Sequence, residues 1–133
     1  MMSEAPGGAG EGSFNPYSRA CPSRRFLKFL GDLWTVLVIG ALYEAGSPQR
    51  FTEISLRVDG ISTKMLTNTL RALERDGLVL RHQYAEMPPR VTYELSPMGQ
   101  DLANVLRDVE GWATGHMQDV LDARESYDVA HGE

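Results

Sequence analysis

Apolar side chains recur at helical spacing in five stretches of the chain, and most breaks between them contain glycine or proline. In the second stretch they repeat every three or four residues, as in a helix with one buried face. These positions are Trp34, Leu37, Val38, Ala41 and Leu42. Asp32, Ser62 and Ser96 precede helical stretches and are the expected N-caps. The predicted helices are Arg24–Leu30, Leu33–Glu44, Phe51–Arg57, residues 63–76 and Met98–Arg124.

After Gly77 the apolar pattern becomes alternating, which indicates strands. The two predicted strands are Leu78–Tyr84 and Val91–Leu95, and the connection between them contains Pro88 and Pro89. Because proline donates no ladder hydrogen bond, this connection should project as a loop. A short helix, a tight turn, a second helix and then a hairpin is the order of a winged helix-turn-helix. The sequence therefore predicts a mainly α fold with a small β-hairpin wing and a long C-terminal dimerisation helix.

The predicted helix over residues 63–76 has an apolar and a polar side when its residues are placed 100° apart. Five positions on the polar side carry no acid: Lys64, Thr67, Asn68, Arg71 and Arg75. These residue types contact phosphates and base edges in a major groove, although an ordinary solvated helix can carry the same side chains. The candidate DNA-binding residues are Ser62, Thr63, Lys64, Thr67, Asn68, Arg71 and, on the wing, Arg90.

The last predicted helix is longer than so small a core can cover. With about 27 residues it would extend roughly 40 Å, and its apolar positions keep helical spacing along that length. Pairing with the same helix of a second copy would bury this stripe. The candidate dimer-interface residues are Leu102, Val105, Val109 and Trp112.

The charge of the chain is unevenly distributed. Over all 133 residues the net charge is −5, which taken alone argues against a nucleic-acid partner. Residues 21–100, however, carry ten lysines and arginines against eight acids, whereas residues 101–133 carry two against eight. We therefore expect the first region to face DNA and the acidic second region to face away from it.

Several classes of function lack support in the sequence. Cys21 is the single cysteine, which excludes an internal disulfide and a multi-cysteine zinc site. The histidines lack ligand spacing, and we find no phosphate loop or nucleophile motif, so we expect neither enzyme activity nor a cofactor or metal. Residues 1–13 lack the features of a signal peptide, and no apolar run is long enough for a membrane span. These features predict a cytoplasmic protein without membrane contact.

Five short motif blocks occur in a characteristic order over about residues 21–115. The blocks are Cys21-Pro22 with Phe29–Thr35, Arg50–Ile54, Gly60–Leu66, Leu70–Val79, and Pro88–Ser96 with Gly99. Together they resemble HxlR-type transcriptional regulators. The resemblance implies a dimeric winged helix-turn-helix protein of prokaryotic type that represses or activates transcription. One departure is Leu33, since the family usually has a lysine before the tryptophan that corresponds to Trp34.

Cys21 has two interpretations. Several members of the resembled family are thiol sensors with a cysteine at this position. Arg24 and Arg25 lie one helical turn downstream and a helix begins near Cys21, and both features favour the reactive thiolate. The alternative is a small buried residue at the edge of the core.

We therefore expect a flexible N-terminal tail over residues 1–20, a winged helix-turn-helix domain with its dimerisation helix over residues 21–124, and a frayed C-terminus over residues 125–133. The expected function is sequence-specific binding of a double-stranded DNA operator as a homodimer. An electrophile or oxidant at Cys21, or a small-molecule effector, would control it. The alternative function is a winged-helix module for protein–protein contact without DNA affinity.

Overall fold

The computed structural model describes residues 14–132, and within them the chain forms five helices and three short strands. Their bounds are α1 Pro22–Leu30, α2 Leu33–Ala45, β1 Gln49–Arg50, α3 Phe51–Arg57, α4 Thr63–Arg75, β2 Val79–Tyr84, β3 Arg90–Leu95 and α5 Pro97–Ala130. The predicted fold class is confirmed, because α3 and α4 form the helix-turn-helix, β2 and β3 form the hairpin, and α5 is long.

Polar side chains begin three of the helices, as predicted. Asp32 accepts hydrogen bonds from the backbone N–H groups two and three residues further along, at 2.9 and 3.4 Å. Ser62 and Ser96 each accept one from the N–H group three residues further along, at 3.0 Å. Each bond satisfies a donor that has no partner inside its helix, and such a cap contributes about 0.5–2 kcal/mol. These caps fix where α2, α4 and α5 start.

The strands form an antiparallel sheet in the order β1–β3–β2. In the hairpin, Val79 lies opposite Leu95, and Arg81 lies opposite Tyr93. We call β2, β3 and their connection the wing. Strand β1 was not predicted, because two residues are too few to show an alternating pattern. It pairs with β3 and so ties the wing to the segment between α2 and α3.

The core lies between α2, α3, α4 and the base of the wing. Its most deeply buried side chains include Val38, Ile39, Ile54, Leu66, Leu70, Leu73 and Val79. The stripe predicted on α2 is partly wrong, because Trp34 and Leu37 are only half-buried. Leu27 is 52% exposed, since α1 lies at the edge of the domain.

Helix α5 begins tightly against the wing. Gly99 is buried, and a Cβ atom at this position would collide with the carbonyl oxygen of Leu78. Ser96 Oγ also donates a hydrogen bond to the carbonyl oxygen of Gly77, at 2.6 Å. The first turn of α5 and the end of the α4–β2 connection are therefore held together.

The distal part of α5, from about Gly111 onward, projects from the domain. The helix does not fray after Arg124 as expected but continues to Ala130, because residues 125–130 contain neither glycine nor proline. With 34 residues it extends about 51 Å. From Gly111 to its end almost every side chain is exposed.

The predicted tail is described only in part, since residues 1–13, like Glu133, lie outside the described residues. Residues 16–20 form turns and bends. Within residues 14–132 no single helix is long and apolar enough to span a membrane, and α1 and α2 pass that test only as a pair bent by 72°.

Candidate nucleic-acid interface

Helix α4 presents its predicted polar face to the outside of the molecule. Lys64, Asn68 and Arg71 are exposed, and Thr67 is half-buried. The leucines on the opposite side of the helix are buried in the core, so packing fixes the direction in which the polar face points. Six of the seven predicted residues lie together on α4 or its cap: Ser62, Thr63, Lys64, Thr67, Asn68 and Arg71.

The cations on this face are free to meet an anion. Among the described residues, neither Lys64 nor Arg71 has a carboxylate within 4.0 Å. Arg57, Arg90 and Arg107, in contrast, all form ion pairs. Unpaired cations on a surface helix are available for phosphate or base contacts without first losing an internal partner.

Arg90, the seventh predicted residue, lies on the wing and is partly engaged. Its guanidinium lies over the ring of Tyr84, 4.1 Å from the centroid, and donates to Glu86 at 2.8 Å. Arg90 is therefore already engaged by two side chains of the wing. An anion that approaches the wing has to compete with the Glu86 carboxylate for Arg90.

Two further residues face α4 from the sheet. A cavity of about 350 Å³ lies between α4 and the wing, and its lining includes Arg71, Arg81 and Tyr93. Arg81 and Tyr93 are not among the predicted site residues, because alternation along each strand does not show which residues of the two strands share a face. Only the cross-strand register, Arg81 opposite Tyr93, brings them together.

Cys21 is the N-cap of α1, and only 8% of its surface is exposed. The hydroxyl of Ser23 lies 3.0 Å from its sulfur, and the backbone N–H of Asn15 donates to the same sulfur at 3.2 Å. The Ser23 hydrogen bond, with help from backbone N–H groups, lowers the pKa of Cys21 below its usual value, although burial acts in the opposite direction. Donors that favour a thiolate are the physical basis of a reactive cysteine.

The predicted source of this effect was partly wrong. The helix start contributes, but the charge of Arg24 does not point at the sulfur, because its guanidinium donates to the carbonyl oxygen of Tyr17 at 3.4 Å. The tail residues near Cys21 are themselves exposed, including Phe14 and Tyr17. Among the described residues, no group of three His, Cys, Asp or Glu side chains is placed to hold a metal ion.

Helix α5 exposes an apolar stripe. Val105, Val109 and Trp112 are 59–60% exposed and lie on one side of the helix, while Leu102, nearer the domain, is half-buried. The Trp112 ring stacks on His116 with 4.4 Å between the ring centroids. Apolar side chains at this density normally mark a surface that another molecule covers.

Ion pairs at Glu44 connect the helix-turn-helix to α5. Arg57 of α3 and Arg107 of α5 both donate to the Glu44 carboxylate, the second at 2.6 Å. Arg107 also lies over the ring of Tyr43, 5.3 Å from its centroid. These contacts were not predicted, because Glu44 and Arg107 are 63 residues apart in the sequence. A displacement of α5 would therefore change the ion pair between Glu44 and Arg57 of α3.

Comparison with known proteins agrees with this geometry. A family model described as HxlR-like helix-turn-helix matches residues 29–120, which include the whole of α2 to β3 and most of α5. The chain belongs to the HxlR-like helix-turn-helix family. This assignment agrees with the resemblance predicted from the motif blocks.

Relatives in this family are named as transcriptional regulators. The HTH-type transcriptional regulator YtfH of Escherichia coli is 35% identical over 111 residues, which cover 84% of this chain and 86% of YtfH. A solved structure of ytfH from Salmonella typhimurium is 35% identical, has a TM-score of 0.77, and covers 84% of this chain and 98% of its own. Diamide-treated YodB from B. subtilis is 33% identical with a TM-score of 0.60, and covers 74% of this chain and 96% of its own. These relatives support a DNA-binding regulator and give no support to the alternative of a protein–protein module without DNA affinity.

Proposed function

We propose that this HxlR-family protein binds a double-stranded DNA operator as a homodimer and regulates transcription there. The observation that carries the proposal is the α4 face with Lys64, Asn68 and Arg71 exposed and both cations unpaired among the described residues. In helix-turn-helix proteins the second helix lies in the major groove, where such side chains contact base edges. Ser62 and Thr63, at the start of α4, would contact the flanking phosphates, and Arg90 would contact the backbone from the wing.

The experiment that tests this function is selection from a random DNA pool. We expect bound sequences to be enriched in two half-sites about 10–10.5 base pairs apart or a multiple of this spacing, because a two-fold dimer places two recognition helices in successive major grooves. Binding should also weaken steeply with salt. Failure to enrich any sequence, with no binding to random duplex at low salt, would overturn the proposal.

The dimer part of the proposal rests on α5. Val105, Val109 and Trp112 are 59–60% exposed, although Arg107 on the same helix contacts α2. An isologous pair of α5 helices would bury these side chains together with Leu102. It would also hold the acidic residues 101–133 away from DNA.

Regulation through Cys21 is a further part of the proposal. The sulfur lies at the start of α1, which leads directly into α2, and α2 packs under α4. Oxidation by diamide would join two thiols in a disulfide, and diamide would take up the two electrons and two protons. Because each chain has one cysteine, the second thiol comes from another copy or from a small thiol. An adduct at this buried position would displace Asn15 and shift α1.

The Cys21 proposal is tested by adding diamide to the parent and to Cys21→Ser and measuring operator binding. We expect the parent to lose affinity and the serine variant to keep it. An equal response of both proteins would remove Cys21 from the regulation and leave a small-molecule effector as the signal. We also place the protein in the cytoplasm, where its proposed DNA target lies, and expect no enzymatic activity, in line with relatives named as regulators.

A further inference from the structure

A cleft between α4 and the wing combines two arginines from different parts of the chain. Arg71 comes from the third turn of α4, and Arg81 comes from β2. Both line the same cavity of about 350 Å³, together with Tyr93 and Glu74. The two arginines give the cavity a polar wall, and the buried side chain of Leu70 lines it on the side of the core.

The strand register explains why Arg81 points toward α4. Side chains two residues apart on a strand share a sheet face, and Val79 on this face is buried in the core. Arg81 is the next residue on that face, and Tyr93 lies directly opposite it on β3. On this sheet face, Val79 therefore lies in the core and the next side chain, Arg81, lies in the cleft. Arg81 and the phenol of Tyr93 extend into the space beside α4.

Neither arginine is neutralised by a described residue. Among residues 14–132, no carboxylate lies within 4.0 Å of Arg71 or Arg81, although Glu74 lines the same cavity. Arg81 donates one hydrogen bond, at 3.2 Å, to the neutral side-chain oxygen of Gln83. Two unpaired guanidinium groups that line one cleft repel each other. An anion between them would relieve that repulsion and accept their N–H groups.

The position of the cleft identifies this anion, on the basis of the proposed function. With α4 in the major groove and the wing at the adjacent minor groove, the sugar–phosphate strand that separates the two grooves has to cross the space between α4 and the wing. We propose that this cleft is a seat for one backbone phosphate of the DNA, held by Arg71 and Arg81, with the Tyr93 hydroxyl as an additional donor. Arg81 and Tyr93 thereby join the DNA-binding residues. This seat sets the angle of the protein on the duplex and reads no base.

The test is a salt titration of binding to a random-sequence 30-base-pair duplex, followed by fluorescence anisotropy. A lost phosphate contact lowers the slope of log K against log salt by about 1, so Arg81→Ala should lower it by about 1 for each bound copy. It should weaken binding to random and selected sequences by the same factor. Arg124→Ala, at the far end of α5, removes the same charge away from the cleft and should leave the slope unchanged. Arg81→Gln keeps more of the side-chain stem and gives the same result if the alanine variant is less stable.

A slope for Arg81→Ala equal to that of the parent would overturn the seat while leaving the proposed function intact. Absence of duplex binding by the parent itself would overturn both. A second measurement separates DNA from free phosphate, namely the NMR signals of the arginine Nε–H groups. We expect the Arg71 and Arg81 signals to shift on addition of duplex and not on addition of inorganic phosphate at matched ionic strength. Equal saturation by inorganic phosphate would assign the cleft to free phosphate and contradict the proposal.

Discussion

The DNA-facing part of the protein and the distal part of α5 leave different kinds of surface without an internal partner. We call α3, α4 and the wing the reading head. Below its surface lies a packed core, and its outer cations Lys64, Arg71 and Arg81 have no carboxylate partner among the described residues. Residues 111–130 of α5 have no such core, and Trp112 there, like Val105 and Val109 just before it, is open to solvent. The unpaired cations of the reading head favour binding to a polyanion. The exposed apolar side chains of α5 favour contact with another apolar surface, so the two regions fit different partners.

The charges of the chain reinforce this difference. Residues 101–133 hold eight acids and two arginines, whereas residues 21–100 carry a small basic excess. Acids close to DNA would reduce affinity, and acids on the outer faces of a paired helix cost little in water. The two regions remain connected, because Glu44 binds arginines from both α3 and α5. In the proposed dimer, a displacement of α5 would therefore reach α3 through Glu44.

The largest effect is expected at the apolar stripe. Trp112→Asp would place a carboxylate in the proposed interface, where its desolvation cannot be compensated, and should convert the dimer to monomers. Sedimentation velocity at micromolar concentration measures this. Asn104→Asp adds the same charge on the polar side of α5 and should remain dimeric. A monomeric parent would contradict the role of the stripe.

The next largest effect is expected on stability, at the contact between the first turn of α5 and the wing. Gly99→Ala forces a Cβ against the Leu78 carbonyl and should lower the free energy of unfolding by about 1–3 kcal/mol. Gly111→Ala is the matched control, because nothing lies within 4 Å of a Cβ there, and it should stabilise α5 by roughly 0.5–1 kcal/mol. Urea denaturation followed by circular dichroism measures both. Equal stabilities of the two variants would show that α5 is not fixed to the wing as described.

A smaller effect is expected on the wing. Glu86→Gln removes the carboxylate that competes for Arg90 and should tighten binding to random duplex by about 1.5- to 5-fold, the scale of an exposed ion pair of 0.2–1 kcal/mol. Glu125→Gln changes the charge equally on distal α5 and should have a much smaller effect. Anisotropy titrations at fixed salt compare the two. Weaker binding by Glu86→Gln would mean that Glu86 positions Arg90 for DNA rather than withholding it.

The smallest effect concerns the thiol. Because Ser23 and backbone N–H groups lower the pKa of Cys21, the thiolate should form, and alkylation should reach its plateau, at a lower pH than for a free cysteine. Ser23→Ala removes the largest cause and should move this profile to higher pH. Ser18→Ala, in the nearby turn, should leave the profile in place. The rate of iodoacetamide labelling against pH gives the result, and an unchanged profile for Ser23→Ala would remove the hydroxyl from the mechanism.

Local rules predicted most of the fold. The caps Asp32, Ser62 and Ser96 and the alternation of the two main strands are properties of neighbouring residues, and the structure confirms them. Strand β1 and the half-burial of Trp34 depend on distant parts of the chain, so no local pattern indicates them. The predicted end of α5 at Arg124 is too early, because the prediction follows the apolar spacing and the helix continues beyond it. Helix formation continues there without burial as far as Ala130.

The candidate site likewise has one part that local sequence predicts and another that depends on distant residues. The α4 face follows from helical periodicity, which placed Lys64, Asn68 and Arg71 on one side. The cleft with Arg81, and the Glu86 contact of Arg90, need the register of the wing and the position of the sheet beside α4. The environment of Cys21 needed side-chain positions as well, since Ser23 rather than the neighbouring arginines contacts the sulfur.

The most direct test of the division between reading head and dimer helix is sedimentation velocity of Asn68→Ala with a labelled operator duplex taken from the selection. Asn68 is exposed on α4 and takes no part in the Glu44 ion pairs that link α3 to α5. The variant should therefore sediment as a dimer like the parent, while its operator affinity falls by about 5- to 150-fold, the equivalent of 1–3 kcal/mol for a base contact. Parent-like operator affinity, or dissociation of the variant into monomers, would contradict the account.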